Sequence, residues 1–66
     1  MEHGGRIELE AALVEQIASE LRAAARFHEQ NGNDAVAEAL RMDARRHARE
    51  AVMLRARADT PALVPA

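Results

Sequence analysis

The chain of 66 residues contains no cysteine, tryptophan, tyrosine or lysine, and Phe27 is its single aromatic side chain. Without cysteine there is no disulfide to staple a small fold and no thiol nucleophile. With one aromatic ring there is no platform on which nucleic-acid bases would stack in succession. Proline occurs only at positions 61 and 65, so no proline interrupts a helix before Thr60. No apolar run approaches the ~20 residues that span a bilayer. The opening residues, Met1-Glu2-His3-Gly4-Gly5, are neither basic nor apolar, against what a secretory signal requires. Ser19 and Thr60 are the only hydroxyl side chains, neither with a plausible base beside it, and there is no Gly-rich phosphate loop or nucleophile elbow. The expectation is a cytoplasmic protein that is not an enzyme, with no catalytic residue, no cofactor and no small-molecule substrate. A net charge of −2 supplies no strong field toward nucleic acid or an anionic membrane.

What the chain does have is two alanine ladders of the same period. Ala11, Ala18 and Ala25 recur every seven residues, interleaved with Ile7, Val14, Leu21 and His28. Ala37, Ala44, Ala51 and Ala58 repeat the pattern, interleaved with Leu40, His47 and Leu54. Folding back at Asn31-Gly32-Asn33 brings together residues whose numbers sum to 65: His28 with Ala37, Ala25 with Leu40, Leu21 with Ala44, Ala18 with His47, Val14 with Ala51, Ala11 with Leu54 and Ile7 with Ala58. Each small side chain then faces a larger one, which lets two helices approach closely without voids.

The predicted fold class is therefore all-α, an antiparallel two-helix coiled-coil hairpin over residues 6–58. Residues 1–5 form a flexible N-terminus. Helix 1 covers 6–30, starting near Arg6 or Ile7 with Gly5 at its cap. The turn takes 31–34, with Gly32 just past the helix end, where a positive φ costs glycine little. Helix 2 covers 35–58, capped by Asn33 or Asp34, and Thr60-Pro61 leads into an extended tail over 59–66. In this register Glu8 comes beside Arg55, Glu10 beside Arg57, and Arg22 beside Arg41; the last pairing is mildly unfavourable.

The apolar surface is wider than one hairpin covers. Leu9, Leu13, Ile17, Ala24 and Phe27 flank the ladder of helix 1 and widen its apolar arc to roughly 200°. Leu13, Ile17 and Phe27 are the candidate association surface, with Met42 and Met53 as a secondary one, since methionine adapts to irregular packing. A chain of this size buries only ~60% of the surface it exposes when unfolded, so association is expected. The simplest closure is a homodimer forming a four-helix bundle; another protein offers the same cover.

Two polar rows invite chemistry. Asp43, His47 and Glu50 fall on one face of helix 2 at spacings of four and three, an acid-histidine-acid row able to ligate a divalent metal. The alternative is that His47 is a seam histidine oriented by Asp43. Arg41, Arg45 and Arg49, with Arg46 beside them, form a stripe suited to phosphate contacts in RNA or DNA. The alternative there is a solvated face or one that meets an acidic protein.

A short turn, Gly32-Asn33-Asp34-Ala35, and an apolar seam segment, Ala51-Val52-Met53-Leu54, give a hairpin that in shape resembles two groups of small proteins. One is the plasmid-encoded Rop-type dimers, whose paired hairpins bind RNA. The other is the short co-chaperones of type III secretion systems, which cover a partner's hydrophobic surface and with which both segments are compatible. The first resemblance implies nucleic-acid binding and the second protein binding. The leading expectation is a protein-interaction module: an adaptor, co-chaperone or regulatory subunit whose partner is itself or another protein. The alternative is a Rop-like RNA-binding dimer using the arginine stripe, and the third reading is a metal-binding bundle.

Overall fold

The computed structural model describes residues 3–59, with side-chain surroundings for residues 5–58. The chain is an antiparallel hairpin of two helices, α1 (His3–Gln30) and α2 (Asp34–Asp59). The tail is expected from residue 59, but Asp59 still belongs to α2; from Thr60 onward it lies outside the described residues, as do Met1 and Glu2 at the N-terminus.

Helix α1 begins before the expected start. It carries back through Gly5 and Gly4 to His3. Glycine lowers helix propensity by about 1 kcal/mol relative to alanine but clashes with nothing, so two glycines weaken a first turn rather than end it. Gly5 is therefore not the cap. The other end has a hydrogen-bonded stop. Gly32 takes φ = +81°, its N–H donates to the Glu29 carbonyl at 3.1 Å, and the Asn33 N–H donates to the His28 carbonyl at 2.8 Å. These are the paired bonds of a Schellman motif with glycine just past the helix end. Asn31 adds to this stop: its N–H is shared between the Phe27 and His28 carbonyls at 3.2 Å each, and its side-chain amide reaches the Phe27 carbonyl at 2.8 Å.

Helix α2 opens at once. The Ala37 N–H donates to the Asn33 carbonyl at 3.0 Å, which makes Asn33 the N-cap. Its side-chain amide turns back to α1 and donates to Nδ1 of His28 at 3.2 Å. Asp34 stands in the first turn of α2 and Arg57 in its last, each at the end of the helix dipole that favours its charge. A connection this short holds the helices antiparallel.

Between the helices the ladders mesh as their spacing requires. Ala11, Ala18, Ala25, Ala37, Ala44 and Ala51 are buried, each with at most 1% of its surface exposed. No larger side chain is fully buried among the described residues. The interleaved residues Ile7, Val14, Leu21, His28, Leu40, His47 and Leu54 are half-buried, as is Ala58 at the open end. Alanine methyls thus form the floor of the seam, and larger side chains lie over them. Each buried methyl contributes about 0.8 kcal/mol, so this core is thin for its length.

Candidate functional site

The seam occupies one stripe of each helix and leaves two unlike flanks. The first is defined by ion pairs that cross the hairpin. The Arg41 guanidinium lies 3.4 Å from Glu29, and Arg55 lies 3.2 Å from Glu8 and also hydrogen-bonds Glu15. Heptad spacing then places Glu8, Glu15, Arg22 and Glu29 of α1 beside Arg41, Ala48 and Arg55 of α2. Arg55 reaches two carboxylates seven residues apart, and its hydrogen bond holds the Glu15 carboxyl below its usual pKa. The two glutamates raise the pKa of Arg55 in return, Glu15 most strongly. These pairs stand in solvent that screens them, so each contributes little to stability. The expected Glu8–Arg55 pair forms. Glu10 and Arg57 form no ion pair among the described residues, because Arg55 is the arginine that lies level with the seam.

The same flank holds a groove that one helix alone would not make. It is lined by Arg22 and Arg26 from α1, Arg41 and Arg45 from α2, and Ala25, Ala44 and Ala48 as its floor, with a volume of about 210 Å³. Arg41 also bonds Glu38 at 3.2 Å, and Arg45 lies 3.6 Å from the same residue. Arg22 and Arg26 have no ion-pair partner among the described residues. The expected stripe on α2 is thereby divided. Positions 41, 45 and 49 drift about 40° per step around a 3.6-residue helix, so the row winds off the groove. Arg46 is tied to Asp43 in an ion pair, and Arg46 and Arg49 border two shallow hollows, one beside Met42 and the other beside Met53. The cross-helix partners Arg22 and Arg26 were missed as a site. The signal for them was the Arg22–Arg41 apposition in the register itself.

The opposite flank is largely apolar on α1. Leu13 and Phe27 are 64% and 61% exposed, and Ile17, closer to the seam, is 43% exposed. Leu9 extends the apolar surface around the back of α1. On α2, Met42 and Met53 are exposed as expected, and Val36 adds exposed surface that periodicity had not singled out, while Val52, seven residues from Arg45, is exposed on the groove side. The Phe27 ring stands edge-on to the His28 imidazole at 5.3 Å between centroids. That contact steadies the aromatic ring at the turn end.

Both imidazoles with described surroundings have partners within the hairpin, that of His28 in the Asn33 side-chain amide and that of His47 in the Asp43 carbonyl. Nδ1 of His47 lies 2.9 Å from the Asp43 carbonyl, an oxygen that only accepts, so Nδ1 carries the proton. The Asp43 carboxylate stands 3.6 Å from the same nitrogen. His47 is accordingly oriented by Asp43 in the seam. Among the described residues no three His, Asp or Glu side chains gather closely enough to hold a metal ion, so Asp43, His47 and Glu50 share a helix face without converging.

No protein family, curated protein or solved structure matches this chain. Among the described residues no helix is long and apolar enough to cross a membrane.

Proposed function

We propose that this hairpin is a protein-interaction module, an adaptor, co-chaperone or regulatory subunit without chemistry of its own, acting by burying the apolar flank of α1 against another helical surface. The observation that carries this reading is an inversion of size. Among the described residues every fully buried side chain is an alanine, whereas Leu13, Ile17, Phe27 and Met53 face outward. Burying a large apolar side chain is worth about 1.5–3 kcal/mol, several times what one alanine methyl provides. A chain that spends its smallest residues on its own core and exposes its largest along one flank gains most by covering that flank. Interface energy concentrates in a few such side chains near the centre of a patch, and Ile17 is central here.

The test is Ile17→Asp. A charge at the centre of a covered apolar patch is expected to abolish association and lower the melting temperature, read by sedimentation equilibrium and far-ultraviolet circular dichroism. An unchanged assembly with unchanged stability removes the proposal. A second reading, binding of a polyanion such as RNA, is favoured by the groove between Arg22, Arg26, Arg41 and Arg45. Carboxylates of Glu29 and Glu38 on the neighbouring turn already occupy part of that charge, which is why it stands second.

A further inference from the structure

We infer that the surface covering the apolar flank is a second copy of this chain, related by a two-fold axis parallel to the hairpin, so that both turns lie at one end of a four-helix bundle. This rests on the interaction reading above and adds the partner and its symmetry. The argument comes from two rows of exposed residues. On α1 the outer row of the apolar flank is Leu13, Glu20 and Phe27, spaced by seven. On α2 the outer row of the same flank is Ala39, Arg46 and Met53, also spaced by seven. The ion pairs of the opposite flank fix which sides these rows occupy, because an antiparallel pair sets like flanks together.

The facing members of the two rows have numbers that sum to 66, within one residue of the seam register, so Leu13 is level with Met53, Glu20 with Arg46 and Phe27 with Ala39. A two-fold along the hairpin keeps every height and exchanges the helices. The α1 row of one copy then meets the α2 row of the other. Leu13 packs on the methionine, Glu20 pairs with the arginine, and Phe27 lies over the alanine. Each of these three outer layers is complementary: apolar on apolar, acid on base, large on small. One turn closer to the seam, Glu10 comes level with Arg57 of the second copy, giving each charge a partner across the new interface.

The competing two-fold runs across the hairpin and puts the turns at opposite ends. Both rows are symmetric about their middle residue, so that axis sets Glu20 against Glu20 and Arg46 against Arg46. Like charges directly opposite one another are unfavourable, and this arrangement has two such pairs at its centre. The lengthwise axis replaces both with attractive pairs. Two inner layers remain imperfect, since Ile17 comes level with Glu50 and Ala24 with Asp43, and Glu50→Ala is expected to tighten the dimer.

The experiment is a charge exchange on the full chain. Glu20→Arg and Arg46→Glu each alter two symmetry-related pairs and are expected to weaken dimerisation about tenfold. The double variant Glu20→Arg/Arg46→Glu is expected to recover to within about threefold of the parent. A spin label on Gln30→Cys reports the axis. Labels less than about 25 Å apart place the turns together, whereas roughly 30 Å or more places them at opposite ends, since Gln30 lies ten residues from Glu20 at a rise of about 1.5 Å per residue. A double variant as weak as the singles, or distant labels on an intact dimer, overturns the two-fold while leaving the interaction reading standing. A chain that stays helical and monomeric at millimolar concentration overturns the second copy.

Discussion

Exchanging the two side chains of one seam layer tests the register on which every other placement depends. Leu21 is half-buried and Ala44 is 1% exposed, and the register summing to 65 sets them in one layer. Leu21→Ala removes three carbons from a half-covered position, so the loss falls below the 2–5 kcal/mol of a fully buried leucine, at about 1–2 kcal/mol. Ala44→Leu inserts the same volume into a closed seam and costs about 1–3 kcal/mol in strain. Together the two changes restore the volume of the layer. The double variant is expected to lie within about 1 kcal/mol of the parent, which implies a coupling of about 2 kcal/mol. In a chain of this length that is about 8–16 °C of melting temperature. Urea and thermal melts followed by circular dichroism at fixed chain concentration supply the values, with sulfate added if the singles are too weak to show a folded baseline. Leu21→Ala/Ala51→Leu is the control, because its two sites lie in layers seven residues apart, about 10 Å. If the matched double is as unstable as the sum of its singles, or the mismatched control recovers equally, the register summing to 65 is wrong.

Three further outcomes follow from named contacts. Gly32→Ala is expected to lower stability by about 1–2 kcal/mol through backbone strain alone, since φ is +81° and a Cβ there meets nothing within 4 Å; Gly32→Asn is expected to cost less, and equal costs in a melt would point to a steric cause instead. The depressed pKa of Glu15 means that its pairing with Arg55 contributes stability in full above the ordinary glutamate value of 4.5 and loses it as pH falls through the lower folded value; Glu15→Gln is expected to flatten this part of the acid limb of the stability curve, and an unchanged limb refutes the pairing. If the four-arginine groove binds polyanions, Arg22→Gln/Arg45→Gln is expected to reduce RNA binding at low salt and its salt slope. Arg46→Gln/Arg49→Gln, with the same charge change off the groove, is expected to leave both nearly unchanged; equal losses in a filter-binding titration refute a groove-specific site.

The hairpin and its seam were legible because both are written in spacing. A small side chain every seven residues can face a neighbour only as one stripe of a helix, and the Asn31-Gly32-Asn33 turn meets the chemistry a Schellman stop demands. The start of α1 was not legible to the residue. Glycine weakens a helix by degrees, and no cap residue competes with continuation back to His3. Charge partners were legible only in part. Glu8 meets Arg55 as the register required, but Arg55 also takes Glu15, and Glu10 and Arg57 do not pair. Long side chains choose among partners whose energies differ by tenths of a kcal/mol, and a register says only who is within reach.

The candidate surfaces divide in the same way. Ile17, Leu13 and Phe27 could be named from helical periodicity because what a helix leaves outside its own stripe is a one-dimensional property of the chain. The arginine groove could not, since two of its four cations come from each helix and the floor is shared by Ala25 from α1 and Ala44 and Ala48 from α2. The order of residues along the chain determined two helices, their stop, their seam and an apolar excess on α1. The apposition of the helices decided which arginines gather, which carboxylates they take and which flank is left apolar. Periodicity is carried by neighbours a few residues apart, whereas those choices belong to side chains that meet only after the chain has turned back on itself.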